Sequence, residues 1–354
     1  MTHHPLIQKL NDLSKPGVLY KKLPDDAVRC HACAHQCLIK PGRRGICQMR
    51  FNQDGALYVP WGYVAGIQPD PIEKKPFYHL LPGSQTLTFG MLGCNFHCSF
   101  CQNWHSSQTL RDDSANRSIQ YIEEVKPEQL IAYAKRNGVK VIASSYNEPL
   151  ITTEWAVDIF RLAKEQEIKT VFVSNGFATP QVLEYLYPYL DGFKVDLKAM
   201  QDETYRDLGG RLQPVLDSIK LAKEMGFWVE VVTLVVPGMN DKPDDLWNSA
   251  RYLQSVSADI PWHVTAFHPD YKMPSGERTS AKSLLQAADI AQEAGLHYVY
   301  AGNLPGRVGS LEDTFCPQCN QNLIRRSGFT VLENQITAEG NCPQCGTKIA
   351  GVWA

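Results

Sequence analysis

No apolar stretch in this chain approaches the roughly 20 residues that a membrane-spanning helix needs, which argues against a membrane protein. Neither sign of charge dominates: 35 Lys and Arg stand against 37 Asp and Glu, a formal charge of −2. That balance removes the basic excess by which proteins grip a nucleic-acid backbone, and no basic stripe is interleaved with aromatics. Internal repeats and low-complexity tracts are also missing. The start, Met1-Thr2-His3-His4-Pro5, has no basic segment leading into an apolar one, so no secretory signal is expected and the cytoplasm is the expected compartment. What remains is an ordinary globular composition, 44% hydrophobic and 20% charged over 354 residues, enough for one large core and one or two small accessory modules.

Unpaired, scattered cysteine is absent too. All 11 fall into three tight sets: Cys30, Cys33, Cys37 and Cys47; Cys94, Cys98 and Cys101; and Cys316, Cys319, Cys342 and Cys345. An odd total cannot pair completely as disulfides, and clustered thiols in a reducing compartment hold metal.

The chain divides by pattern into a Cys-, Pro- and Gly-rich segment at 1–80, a strand-and-helix body at 81–305 and a short segment at 306–354 with two Cys-x-x-Cys pairs. In the body, strands are expected at Thr86–Phe89, Lys140–Ala143, Thr170–Ser174, Gly192–Leu197, Phe227–Val236, Trp262–Phe267 and His297–Ala301. Several are continuous apolar runs, as in a parallel sheet covered on both faces. Helices lie between them: Thr179-Pro180 reads as an N-cap with proline in the first turn, and Val215, Ile219, Ala222 and Met225 repeat at helical spacing before Gly226. The alternation predicts an α/β fold, a partial or complete (β/α) TIM-type barrel with small Cys-rich metal-binding modules at both ends. A doubly wound open sheet fits the same string. Either way, active groups belong just past the C-terminal ends of the strands.

Cys94-x3-Cys98-x2-Cys101, with Phe100 before the last thiol, follows the first body strand. Three thiolates on one loop can hold three corners of a cubane iron–sulfur cluster and leave the fourth iron open to a ligand. Two blander arrangements are a four-cysteine electron-transfer cluster and a zinc ion completed by His97 or His105. The motif resembles the Cys-x3-Cys-x-aromatic-Cys of the radical S-adenosylmethionine (SAM) superfamily. That resemblance implies a [4Fe-4S] cluster whose open iron is chelated by the SAM amino and carboxylate groups. An electron then cleaves the sulfonium, and the resulting 5′-deoxyadenosyl radical abstracts hydrogen from a substrate. The resemblance continues at successive strand ends. Ser145-Tyr146-Asn147-Glu148-Pro149 is similar to the family's Gly-Gly-Glu-Pro, with Tyr146 and Asn147 in place of the glycines and Glu148 implied as partner of the SAM ammonium. Ser174-Asn175-Gly176 is similar to the Thr-Asn-Gly of pyruvate formate-lyase activating enzyme, and implies contacts to ribose or carboxylate. Asp196-Leu197-Lys198 matches an Asp-x-Lys whose charged side chains approach SAM, and Val235 to Asp241 resembles the adenine-side segment. His268 ends the sixth strand and is expected to face ligand or substrate. Each of Glu148, Asp196, Lys198 and His268 has a plain structural alternative: a helix-end carboxylate, a salt bridge or a satisfied histidine.

The C-terminal pairs, Cys316-Pro-Gln-Cys319 and Cys342-Pro-Gln-Cys345, read as zinc knuckles, with a rubredoxin-type iron as the other S4 option. For Cys30, Cys33, Cys37 and Cys47, spacing leaves zinc or an auxiliary [4Fe-4S] cluster open, with zinc preferred. The layout also resembles the radical SAM proteins of the AmmeMemoRadiSam system, which implies Memo and AMMECR family companions. Family analogy implies reduced flavodoxin or ferredoxin as electron donor. The protein is expected to be a radical SAM oxidoreductase acting on a protein, as glycyl-radical activases do, or on a small molecule or other peptide. A non-catalytic metal-binding protein is the reading of another class.

Overall fold

The computed structural model describes residues 5–354; Met1 to His4, which bear on the expected lack of a secretory signal, lie outside the described residues. One eight-stranded sheet organises the chain: β1 (Gly66–Pro71), β2 (Gln85–Gly90), β3 (Val141–Ser144), β4 (Lys169–Ser174), β5 (Gly192–Asp196), β6 (Trp228–Val235), β7 (Trp262–Ala266) and β8 (Val299–Gly302). The strands neighbour one another in sequence order. β1 runs antiparallel to β2, and every later pair is parallel. An order that never reverses has no switch point, so the doubly wound alternative gives way to a sheet wound in one direction. β1 and β8 do not pair with each other, so strand pairing leaves the sheet open.

Helices α1 (Pro127–Arg136), α2 (Thr153–Lys164), α3 (Pro180–Leu186), α4 (Leu212–Met225), α5 (Pro243–Val256) and α6 (Ala281–Glu293) connect the parallel strands from β2 onward. Their apolar stripes face the sheet. α2 buries Trp155, Ala156, Ile159, Phe160 and Ala163, a helical repeat, and Trp155 meets Phe89 of β2 edge-on at 5.5 Å. Thr179 caps α3 by accepting from the Val182 amide at 3.2 Å, as its sequence predicts. Along β6 nearly every side chain is buried, as a strand covered on both faces requires. Its one carboxylate, Glu230, is satisfied in the core by Trp228 Nε1 (2.9 Å), by the Tyr78 and His79 amides (3.0 and 2.9 Å), and by His263 Nε2 at 2.7 Å.

The segment before β1 carries more order than its composition suggests. It holds a helix (Pro5–Asp12) and two small antiparallel sheets, Ser14–Pro16 with Ala56–Pro60 and Phe51–Gln53, and Tyr20–Lys22 with Val28–Cys30 and Leu38–Ile39. These strands are too short to show a period. At the C-terminus, β9 (Thr314–Phe315), β10 (Asn322–Ser327) and β11 (Thr330–Asn334) make an antiparallel ribbon. Arg326 anchors it, donating to the Tyr78 carbonyl and to Thr314 Oγ1, both at 2.8 Å, with its guanidinium 4.3 Å from the Tyr78 ring centre. No helix among the described residues is long and apolar enough to cross a membrane.

Candidate active site

The loop after β2 and the C-terminal ends of β3 to β7 open onto one cavity of about 430 Å³, a volume suited to a small-molecule ligand. Strand ends meet closely here. A Cβ on Gly90 would stand 2.6 Å from the Ser145 carbonyl oxygen, so only glycine lets β2 and the loop after β3 touch. Beyond β2 the chain turns into the loop carrying the central thiols. Cys98 is buried, and Cys94 and Cys101 are partly so. Burial pushes the Cys98 thiol up to about 11 against the pull of Lys198, and pushes Cys94 up as well, with Glu148 adding to the effect. The Phe96 amide donates to Cys94 Sγ at 3.3 Å, and Ser107 Oγ lies 3.2 Å from Cys101 Sγ. Both contacts favour thiolates.

Cys98, Phe100 and Cys101 line the cavity, and so do Asp196 and Lys198. Lys198 Nζ lies 3.2 Å from Asp196 Oδ2, and Lys194 pairs with the other carboxylate oxygen. Burial would raise the Asp196 carboxyl, but the two ammonium groups outweigh it and hold the group at about 2. The alternation that places Asp196 and Lys198 together also places Lys194, and so could have found it. Tyr146 reaches the same wall in a left-handed conformation (φ 71°), where the resembling motif has glycine. Its ring lies 4.6 Å from Lys75 Nζ, and its hydroxyl donates to Asp70 at 3.2 Å. Asp70 also pairs with Lys74 and Lys75 at 2.7 and 2.8 Å. Phe329, at the β10–β11 turn, completes the rim. Nothing in the local sequence around Lys74, Lys75 or Phe329 signals this, because each arrives from outside the series of strand ends.

Other expected site residues sit behind the wall. Glu148 is buried, with its oxygens engaged by Ser174 Oγ (2.6 Å) and by the Asn175 and Leu150 amides (2.8 and 3.1 Å). Burial outweighs these donors and lifts its carboxyl to about 7. Asn175 Nδ2 donates to Asn95 Oδ1 at 2.7 Å and lies 3.9 Å from Cys94 Sγ. Asn147 Oδ1 accepts from the Met91 amide at 2.9 Å. The strand-end motifs after β3 and β4 thus brace the cysteine loop. His268 is exposed, with Nε2 at 2.9 Å from Gln102 Nε2.

In the C-terminal quartet, Cys316 and Cys345 stand 3.6 Å apart at sulfur, and Cys319 and Cys342 3.7 Å. Tetrahedral zinc with bonds of about 2.3 Å gives sulfur–sulfur edges of about 3.8 Å. All four sulfurs lie within 4.8 Å of one another, so the group can hold a metal ion.

The sequence profile described as the radical SAM superfamily matches residues 89–253, the stretch from the end of β2 into α5. The chain belongs to the radical SAM superfamily. An uncharacterized protein of Methanocaldococcus jannaschii is 38% identical over 338 residues, covering 95% of this chain and 98% of its own. The pyruvate formate-lyase-activating enzyme of Clostridium pasteurianum is 26% identical, over 49% of this chain and 71% of its own. Among solved structures, Streptococcus suis SuiB bound to S-adenosylmethionine is 16% identical at a TM-score of 0.48, over 66% of this chain and 53% of that one. Radical SAM membership implies a [4Fe-4S] cluster and SAM. The central triplet fits such a cluster: three thiols on one loop, two on the cavity wall and two supplied with hydrogen-bond donors, with no three ligand atoms as close as the 4.8 Å seen in the C-terminal group.

Proposed function

We propose that this chain cleaves SAM reductively at a [4Fe-4S] cluster held by Cys94, Cys98 and Cys101, and directs the radical to hydrogen abstraction in the manner of the glycyl-radical activases. The observation that supports this most is the cavity wall, which Cys98, Cys101, Asp196 and Lys198 all line around a space of ligand size. When bound, the cluster supplies an open iron and one electron, which with SAM yields methionine and a 5′-deoxyadenosyl radical. The chain's own residues hold and orient. Asp196 raises the pKa of Lys198 despite burial, so its ammonium persists at any working pH and suits the SAM carboxylate. Asp196, anionic above about 4, suits the ribose hydroxyls. Phe100, buried within the cysteine loop, lines the cavity beside Cys98 and Cys101. Glu148, Asn147, Ser174 and Asn175 act as positioning residues for that loop. In this reading residues 81–305 form a partial barrel, residues 1–80 and 306–354 are metal-bearing modules, and the C-terminal metal is structural zinc. Reduced flavodoxin or ferredoxin supplies the electron, as radical SAM activating enzymes generally require.

The test is 5′-deoxyadenosine formation by anaerobically reconstituted, reduced protein with SAM. Cys98→Ala abolishes it, and a folded Cys319→Ala retains it. Equal turnover in cluster-loaded wild type and Cys98→Ala contradicts the proposal.

A further inference from the structure

The radical chemistry leaves the N-terminal quartet unused, and its spacing leaves zinc or an auxiliary cluster open, with zinc preferred. Its geometry favours the cluster. The four thiols converge: the Cys30 amide donates to the Cys37 carbonyl at 3.0 Å across the loop that carries Cys33, and Ile46, next to Cys47, turns its amide to Cys37 Sγ. Three are buried and Cys37 is partly so. Yet they converge loosely. A single tetrahedral ion requires sulfur–sulfur edges of about 3.8 Å, and the C-terminal quartet shows 3.6 and 3.7 Å. Among the described residues, that quartet is the one group in which three or more ligand atoms lie within 4.8 Å of one another. The N-terminal quartet is wider, as is the Cys94–Cys98–Cys101 triplet. Sulfurs so placed do not match the edges of a single tetrahedral ion, whereas a cubane offers each a separate iron corner.

The surroundings suit an anionic cluster. Arg50, 1% exposed, lies beside Cys30 and Cys47. Its terminal nitrogens are held by Glu154 at 2.6 and 2.7 Å and by the Ile151 carbonyl at 3.1 Å, while its buried Nε–H has no protein partner. The Ile46 amide donates to Cys37 Sγ at 3.4 Å. The quartet also rests directly on the SAM-cluster loop. His35 Nε2 lies 3.1 Å from the Asn95 carbonyl, and Arg111 bridges the Phe96 carbonyl (2.7 Å) and that of Ile46. Gly93 (φ 91°) admits the Met49 side chain where a Cβ would collide at 2.3 Å.

We propose that Cys30, Cys33, Cys37 and Cys47 hold a second [4Fe-4S] cluster, ligated by protein at all four corners and packed against the loop of the SAM-binding one. The inference is independent of the SAM chemistry. The full chain carrying Cys94→Ala, Cys98→Ala and Cys101→Ala together, reconstituted anaerobically, is to be assayed for iron and zinc and by Mössbauer and EPR spectroscopy. It retains about four irons per chain, half the wild-type content, as one cubane. The EPR signal of its reduced form does not change with SAM, since no iron is open. Should that variant fail to fold, Cys30→Ser with Cys47→Ser in the otherwise wild-type chain halves the iron instead. Zinc in place of iron in the triple variant, or an undiminished cubane content in the double variant, overturns the proposal. A wild-type chain with both clusters that makes no 5′-deoxyadenosine defeats the SAM reading alone.

Discussion

At Asp196 three charges meet on the cavity wall, and the sign of the shift fixes the pH behaviour. Its folded pKa, about 2, lies below the ordinary 3.8. The stability its ionisation contributes is therefore present in full above about pH 4 and lost as pH falls through about 2. The difference in melting temperature between wild type and Asp196→Asn is expected to be constant from about pH 5 to 8 and to shrink below about 4. Lys198 is a charge-assisted donor. Lys198→Met is expected to raise the SAM concentration for half-maximal 5′-deoxyadenosine formation about 10- to 100-fold, matching the roughly 1.5–3 kcal/mol of such a bond. An unchanged SAM dependence would remove Lys198 from the binding role. Asp196 and Lys198 are legible in sequence because alternation along a strand end sends them to one side. The inward turn of Glu148 is not legible, since it depends on Ser174 and Asn175 folding back from the next strand.

Among the elements, β3 to β8 are readable because buried parallel strands need unbroken apolar runs. β1 escapes notice: Gly66-Ile67-Gln68-Pro69-Asp70-Pro71 carries two prolines, which only an edge strand tolerates. That edge strand delivers Asp70 and, through the turn after it, Lys74 and Lys75 to the site. The N-terminal segment is joined to α2 by the buried Arg50–Glu154 pair, whose carboxylate also accepts from the Leu19 amide at 3.3 Å. Removing one partner strands a buried charge. Arg50→Met is expected to cost about 3–5 kcal/mol in denaturant unfolding, and Arg50→Met with Glu154→Leu to recover much of it. At the other end, the ribbon sets Phe329 on the cavity rim. Cys342→Ser is expected to lose one metal ion per chain and to speed proteolysis within residues 306–354. 5′-Deoxyadenosine formation without substrate should persist. Unaltered metal content would show that the four thiols do not form one site.

For the molecule as a whole, the cysteine sets and the strand positions were legible, but the order of the strands in the sheet and the metal of the Cys30–Cys47 set were not. Spacing along the chain says which thiols belong together; only distance in space separates a single-ion site from a cubane one. The single-direction winding of the sheet places the ends of β3 to β7 around one cavity, so residues from separate motifs reach one ligand-sized space. The most direct measurement is hyperfine spectroscopy of the reduced wild-type protein with SAM isotopically labelled at its amino nitrogen and carboxylate oxygens. Coupling of both labels to a cluster that disappears in Cys98→Ala is the predicted result. A cluster signal indifferent to labelled SAM, in protein replete with iron, would contradict the account.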